Sequence, residues 1–149
     1  MRRRDARACG GLVAVSACLL AVRLLAACRV GFGDSEALYA SYALHPQPAY
    51  LDHPGLIGLA ARAIGGGSAP SPLRAHLATS VAATLVPWAM ASACRACGAS
   101  WTRALGASLL FALVPEIAVG LFAMTPDLVL ALAWTASIAA AADALRSQP

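Results

Sequence analysis

The sequence predicts an all-α membrane protein, and three observations carry that expectation. Of its 149 residues 60% are hydrophobic and only 12% charged, with a mean hydropathy of +0.70, whereas ordinary soluble domains carry roughly 25% charged residues. Four apolar segments, at 10–30, 73–94, 104–123 and 128–145, are of the length needed to cross about 30 Å of hydrocarbon, which takes roughly 20 helical residues. The remaining charges gather at the borders of those segments.

The first element, residues 1–9, is a basic lead-in. Arg2, Arg3, Arg4 and Arg7 precede the first span, Arg95 and Arg103 bound the 95–103 loop, and Arg146 opens the 146–149 end. Arginines on one side of a bundle mark the cytoplasm, so the chain is expected to be a multi-pass protein of the inner (plasma) membrane with its N-terminus inside. Arg29, Arg62 and Arg74 fall on the other side, and Arg23 lies within the first span, where snorkelling to an interface is expected. "LAAC" at 25–28 and "VSAC" at 15–18 resemble cleavage boxes, but Arg23 and the length of the apolar run favour a retained span.

The pI near 9.1 and charge of +4 do not indicate nucleic acid as a partner. There is no lysine, and the arginines border apolar runs rather than line one polar face. Five cysteines, an odd number spread through the spans, make no disulfide framework. "CRAC" at 94–97 lacks the second pair that a zinc site would need.

Residues 31–72 form the first outer loop and are expected to hold two short interfacial helices. In "DSEALYASYAL", Asp34 or Ser35 can cap a helix with Leu38, Tyr39 and Tyr42 on its apolar face. A second helix starts near "DHPGL" and runs through "LIGLAARAI" until "GGGSAPSP" stops it. A short turn at 124–127 joins the third and fourth spans, with Thr125 as cap and Pro126 at the first helical position. Glu116, near the outer end of the third span, is unfavourable in lipid and so a default functional candidate. Asp34, Glu36, Asp52, Glu116 and Asp127 all fall toward the outer face.

The motifs "SEALY", "YLDHPGLIG", "SPLRAH" and "MTPDLVLALAW" follow one another in that order. This order resembles the polyprenyl-phosphate-dependent glycosyltransferases of the dolichyl-phosphate-mannose protein mannosyltransferase superfamily, whose versions look like DEAxYW, YxDHPPL, SPLxxRLP and ATPD. The resemblance covers the chain from about residue 30 onward and implies the N-terminal portion of a GT-C fold. It also implies a hexosyl- or pentosyl-transferase that takes its sugar from a polyprenyl-phosphate donor within membrane lipid and acts on the extracytoplasmic side. The acceptor is a protein, lipid or cell-envelope polymer.

Such a reaction needs a carboxylate to accept a proton from the attacking acceptor and positive charge to hold the departing phosphate. By the resemblance, Asp34, Glu36 and Asp127 are the catalytic candidates and Asp52, His53, Arg74 and His76 substrate-binding ones; Arg62, on the outer side with fork-shaped donors, is a further phosphate-binding candidate. Two departures stand out. The family's acidic pair aligns with Ser35 and Glu36, leaving Asp34 displaced by one residue, and the family's arginine aligns with His76 rather than Arg74. Outer carboxylates could also hold a divalent cation, though no spacing assigns one. Relatives carry further spans, so the chain is expected to be the front of such an enzyme and inactive by itself. The competing expectation is a non-enzymatic four-helix membrane subunit or small transport component, in which the acids only favour helix starts.

Overall fold

The computed structural model describes residues 3–51, 53–65 and 70–147. Within them the chain forms α1 (Arg3–Ala27), α2 (Asp34–Leu44), α3 (Leu56–Gly65), α4 (Pro72–Ala96), α5 (Trp101–Ala112), α6 (Pro115–Ala118) and α7 (Pro126–Arg146), with a 3-10 turn at Gly120–Phe122. No strand occurs among the described residues; Ala49 and Pro54 form an isolated bridge. The expected all-helical class is observed, and α1, α4 and α7 are each long and apolar enough to cross a membrane.

The expected third span at 104–123 is not a straight helix. The 12 residues of α5 reach only about 18 Å at 1.5 Å per residue. Pro115 has no N–H and drives the residue before it out of the helical region, so Val114 takes an extended ψ of 129°. The chain turns there, and α5 lies at 79° to the Pro115–Phe122 segment. Residues 113–125 therefore make an elbow between α5 and α7.

α4 is the central helix, packed against α1, α3, α5 and α7. It runs unbroken through Pro87, and its inner face is small: Ala75, Thr79, Ser80, Ala83 and Ala91 are all buried. Two apolar clusters fill the bundle. Ala83, Val86, Ile117, Leu121 and Leu128 join α4 to the elbow and α7, while Leu12, Ala91, Leu105 and Ala112 join α1, α4 and α5. At the α4–α5 link Gly98 takes a φ of +91°, a conformation that favours glycine, and Ala99 N–H donates back to Cys94 at 3.0 Å, closing the helix.

Contacts at that end gather the basic residues. Thr102 donates its hydroxyl to Asp5, Arg146 donates to the Arg95 carbonyl at 3.2 Å, and the Arg95 guanidinium lies 5.0 Å from the Trp101 ring centroid. The starts of α1 and α5 and the ends of α4 and α7 thus share one end of the bundle, and α2 and α3 sit over the other.

There, α2 turns Glu36, Tyr39, Ala40 and Ala43 inward, a stripe at i, i+3, i+4 and i+7. Of the expected apolar face of Leu38, Tyr39 and Tyr42, Tyr39 packs inside, Tyr42 is half-buried and Leu38 is exposed. In the link to α3, Tyr50 stacks on Tyr42 with centroids 3.7 Å apart and donates its hydroxyl to the Tyr42 carbonyl at 3.0 Å. Gly58 of α3 lies directly beneath, where a Cβ would overlap the Tyr50 hydroxyl.

Gly58→Ala is accordingly expected to destabilise the detergent-solubilised protein by about 1–3 kcal/mol through overpacking. Tyr50→Phe, which removes the overlapping oxygen, should recover part of that loss in a double-mutant cycle of thermal unfolding. Additive effects would show that the two residues do not meet.

Candidate functional site

Glu36 stands three residues after Gly33, the residue that precedes α2, and is 6% exposed. Its Oε2 accepts the Gly33 N–H at 3.0 Å. Its Oε1 accepts two bonds: His76 Nε2 at 2.8 Å and the Met124 N–H at 2.7 Å. One carboxylate therefore ties the start of α2, the inner face of α4 and the lead-in to α7. All three bonds are accepted by its two oxygens.

His76 is fully buried. Its ring lies against Phe122, with centroids 4.3 Å apart and an interplanar angle of 31°, and edge-on to Phe32 at 6.1 Å. Its Nδ1 is buried without a hydrogen-bond partner among the described residues. Thr79, one turn along α4, donates to the Phe122 carbonyl at 2.6 Å. The elbow is thereby fastened to α4 on the side that covers His76.

Asp34 and Glu36 do not act as a facing pair. Asp34 is the first residue of α2, not a cap, and is exposed; two residues on a helix turn a side chain by about 200°. Asp127, also exposed, lies in the first turn of α7, three residues after Met124. Glu36 therefore binds Gly33, the neighbour of Asp34, and Met124, which leads to Asp127. Both exposed carboxylates belong to helix starts held by the buried one.

The substrate-binding candidates divide differently from the expectation. His76 lies inside, bonded to Glu36, whereas Arg74, two residues earlier, is exposed. Arg74 borders an open groove of about 770 Å³ with Ala63, Ile64, Leu77, Ala78 and Val81. Arg62 is exposed on α3. His53 is half-buried, its Nε2 3.3 Å from the Tyr39 hydroxyl, and Asp52 lies outside the described residues.

His53 and Pro54 also line a second cavity of about 270 Å³, between Leu56, Ile57 and Ala60 on one side and Pro126, Val129, Leu130 and Ala133 on the other. Its walls are apolar apart from His53, and it opens beside the residue that precedes Asp127.

Other expectations also change. Glu116 is exposed and folds its carboxylate over Gly120, where a Cβ would overlap it. Arg23 does not snorkel; it is 4% exposed and bonded to the elbow. Among the described residues no group of three His, Cys, Asp or Glu side chains gathers closely enough to hold a metal ion. Sequence reasoning missed the Met124 amide, a backbone group with no residue signature, and Thr79, whose spacing one turn from His76 was the available signal. Comparison with protein-family models, with curated proteins and with solved structures found no match.

Glu36→Ala would leave the buried His76 and Met124 N–H groups without an acceptor, at a cost of about 1–3 kcal/mol for each. Thermal unfolding in detergent should show this as a large drop in melting temperature, while Asp34→Ala and Asp127→Ala stay close to wild type. Equal small effects for all three would mean that the Glu36 bonds do not hold the fold.

Proposed function

We propose that this chain belongs to a membrane glycosyltransferase that moves a hexose or pentose from a polyprenyl-phosphate donor to an acceptor on the extracytoplasmic side. The observation that carries the reading is the Glu36 carboxylate, which gathers the helix starts bearing Asp34 and Asp127 to one end of the bundle. The apolar cavity between α3 and α7 adds support, since an isoprenoid chain needs an apolar channel and its phosphate needs a polar mouth.

In this reading Asp34 accepts the proton of the attacking acceptor hydroxyl or amine. Asp127 orients that acceptor from across the site. Attack at the anomeric carbon forms the new glycosidic bond as the bond to the donor phosphate breaks, and the phosphate departs with the electron pair. His53, Arg62 and Arg74 hold the phosphate. Glu36 and His76 do not touch substrate; they position the two helix starts. The short ordered motifs of the sequence support the same assignment.

The basic end of the bundle is assigned to the cytoplasm and the Glu36 end to the outside of the inner membrane. Cys28, just past α1, and Cys97, at the end of α4, are both exposed and lie toward opposite ends. A membrane-impermeant maleimide applied to intact spheroplasts should label Cys28 and leave Cys97 until the membrane is opened. The reverse order would invert the topology and move the site to the cytoplasm.

For the chemistry, the purified chain in lipid vesicles should bind a radiolabelled polyprenyl-phosphate-linked hexose or pentose saturably. Ala60→Trp, which fills the cavity, should weaken that binding by about tenfold, or ~1.4 kcal/mol. In native membranes that supply the acceptor, Asp34→Asn and Asp127→Asn should reduce transfer by about 10²–10⁴-fold. Absence of saturable donor binding would reject the transferase reading in favour of a non-enzymatic membrane subunit.

A further inference from the structure

Arg23 is a guanidinium buried in the middle of the bundle, and no carboxylate pairs with it among the described residues. An ionisable side chain within a spanning helix is a functional candidate by default, because it is unfavourable there unless something requires it. Its donors go to the elbow. Nε donates to the Ala118 carbonyl at 3.1 Å, Nη2 to the Ile117 carbonyl, and Nη1 lies 3.5 Å from the Thr84 hydroxyl. The two carbonyls end α6, where four helical residues give way to the 3-10 turn. Carbonyls at a helix end lack intrahelical partners, and a planar fork of N–H groups suits two adjacent ones.

The elbow is gripped at three points by side chains from three helices. Arg23 of α1 holds Ile117 and Ala118, Thr79 of α4 holds the Phe122 carbonyl, and Glu36 of α2 holds the Met124 N–H. Only five residues lie between Ala118 and Met124, and the 3-10 turn occupies three of them. A shift at the first grip therefore passes along a short, folded segment to the last.

We propose that Arg23 is a positioning residue for the Glu36 site: from the far side of the elbow it sets the register in which Met124 presents its amide to Glu36 and Phe122 covers His76. This deepens the functional reading above, because Glu36 organises the site proposed there. Its test reads hydrogen bonding with no donor present, so failure of sugar transfer and failure of this proposal are distinguishable.

The test uses the full chain in lipid nanodiscs, labelled with ¹⁵N-methionine to follow the backbone amides of Met90 and Met124. In wild type the Met124 amide should exchange slowly. Arg23→Leu should speed its exchange by about tenfold or more, the signature of local rather than global opening, while Met90, on α4 beyond the elbow, keeps its wild-type rate. Arg23→Lys retains the charge but not the two-carbonyl fork, and should speed Met124 exchange by about threefold with Met90 again unchanged.

Unchanged Met124 exchange in Arg23→Leu would overturn the proposal. So would an equal rise at Met90, since that reports general loosening of the bundle. Should Arg23→Leu fail to fold, Arg23→Lys decides alone: Met124 exchange at the wild-type rate, or a matching rise at Met90, overturns it.

Discussion

A carboxylate drawn out of water in an apolar bundle is the constraint from which the rest of this architecture follows. Burial of an ion is unfavourable by several kcal/mol even after the surroundings relax, so Glu36 requires donors wherever α2 carries it. The three it has come from separate stretches of chain: the residue ahead of α2, the inner face of α4, and the approach to α7. Satisfying one charge therefore fixes the relative placement of three segments that hydrophobic packing alone would let slide. Small side chains form much of this interior, and alanine against alanine discriminates poorly between registers. The directional bonds to Glu36 supply the discrimination.

The elbow poses the complementary problem. A helix broken within a membrane-spanning region exposes backbone N–H and C=O groups, and such groups are tolerated there only where protein covers and bonds them. Pro115 and the 3-10 turn create that exposure between α5 and α7. Arg23, Thr79 and Glu36 each take up part of it. The buried arginine and the buried glutamate thus serve the same segment from opposite sides, one through carbonyls and the other through an amide. This explains how two unlike charges sit inside one small bundle without pairing to each other.

Much of the helical order was legible in the residues. Hydrophobic length located α1, α4 and α7, Asp34 and Ser35 marked the start of α2, and proline and glycine marked its end and both ends of α3. The break in the third segment was less legible, because Pro87 and Pro115 look alike in sequence while only at the second does the residue before the proline leave the helix. Of the candidate site, the carboxylates at helix starts and the exposed Arg62 and Arg74 could be read directly. The inward turn of Glu36 and His76 could not, since it depends on a partner 40 residues away and on a backbone amide 88 residues away. Arg23 was conspicuous by its position, but its direction was set by the elbow, which the sequence did not announce.

The placement of the acids also separates two roles that adjacent positions in a motif tend to merge. A proton acceptor needs a lone pair that an incoming group can reach. Glu36 has committed both oxygens to donors and has almost no surface, so its chemistry is that of an anchor. Asp34 and Asp127 are exposed, and each sits in the first turn of a helix, where the backbone N–H groups favour its charge without consuming it. Their positions are nonetheless not free, because the residues leading into both helices are bonded to the same buried carboxylate. An anchor that is itself unavailable can thus confer geometry on two groups that are available.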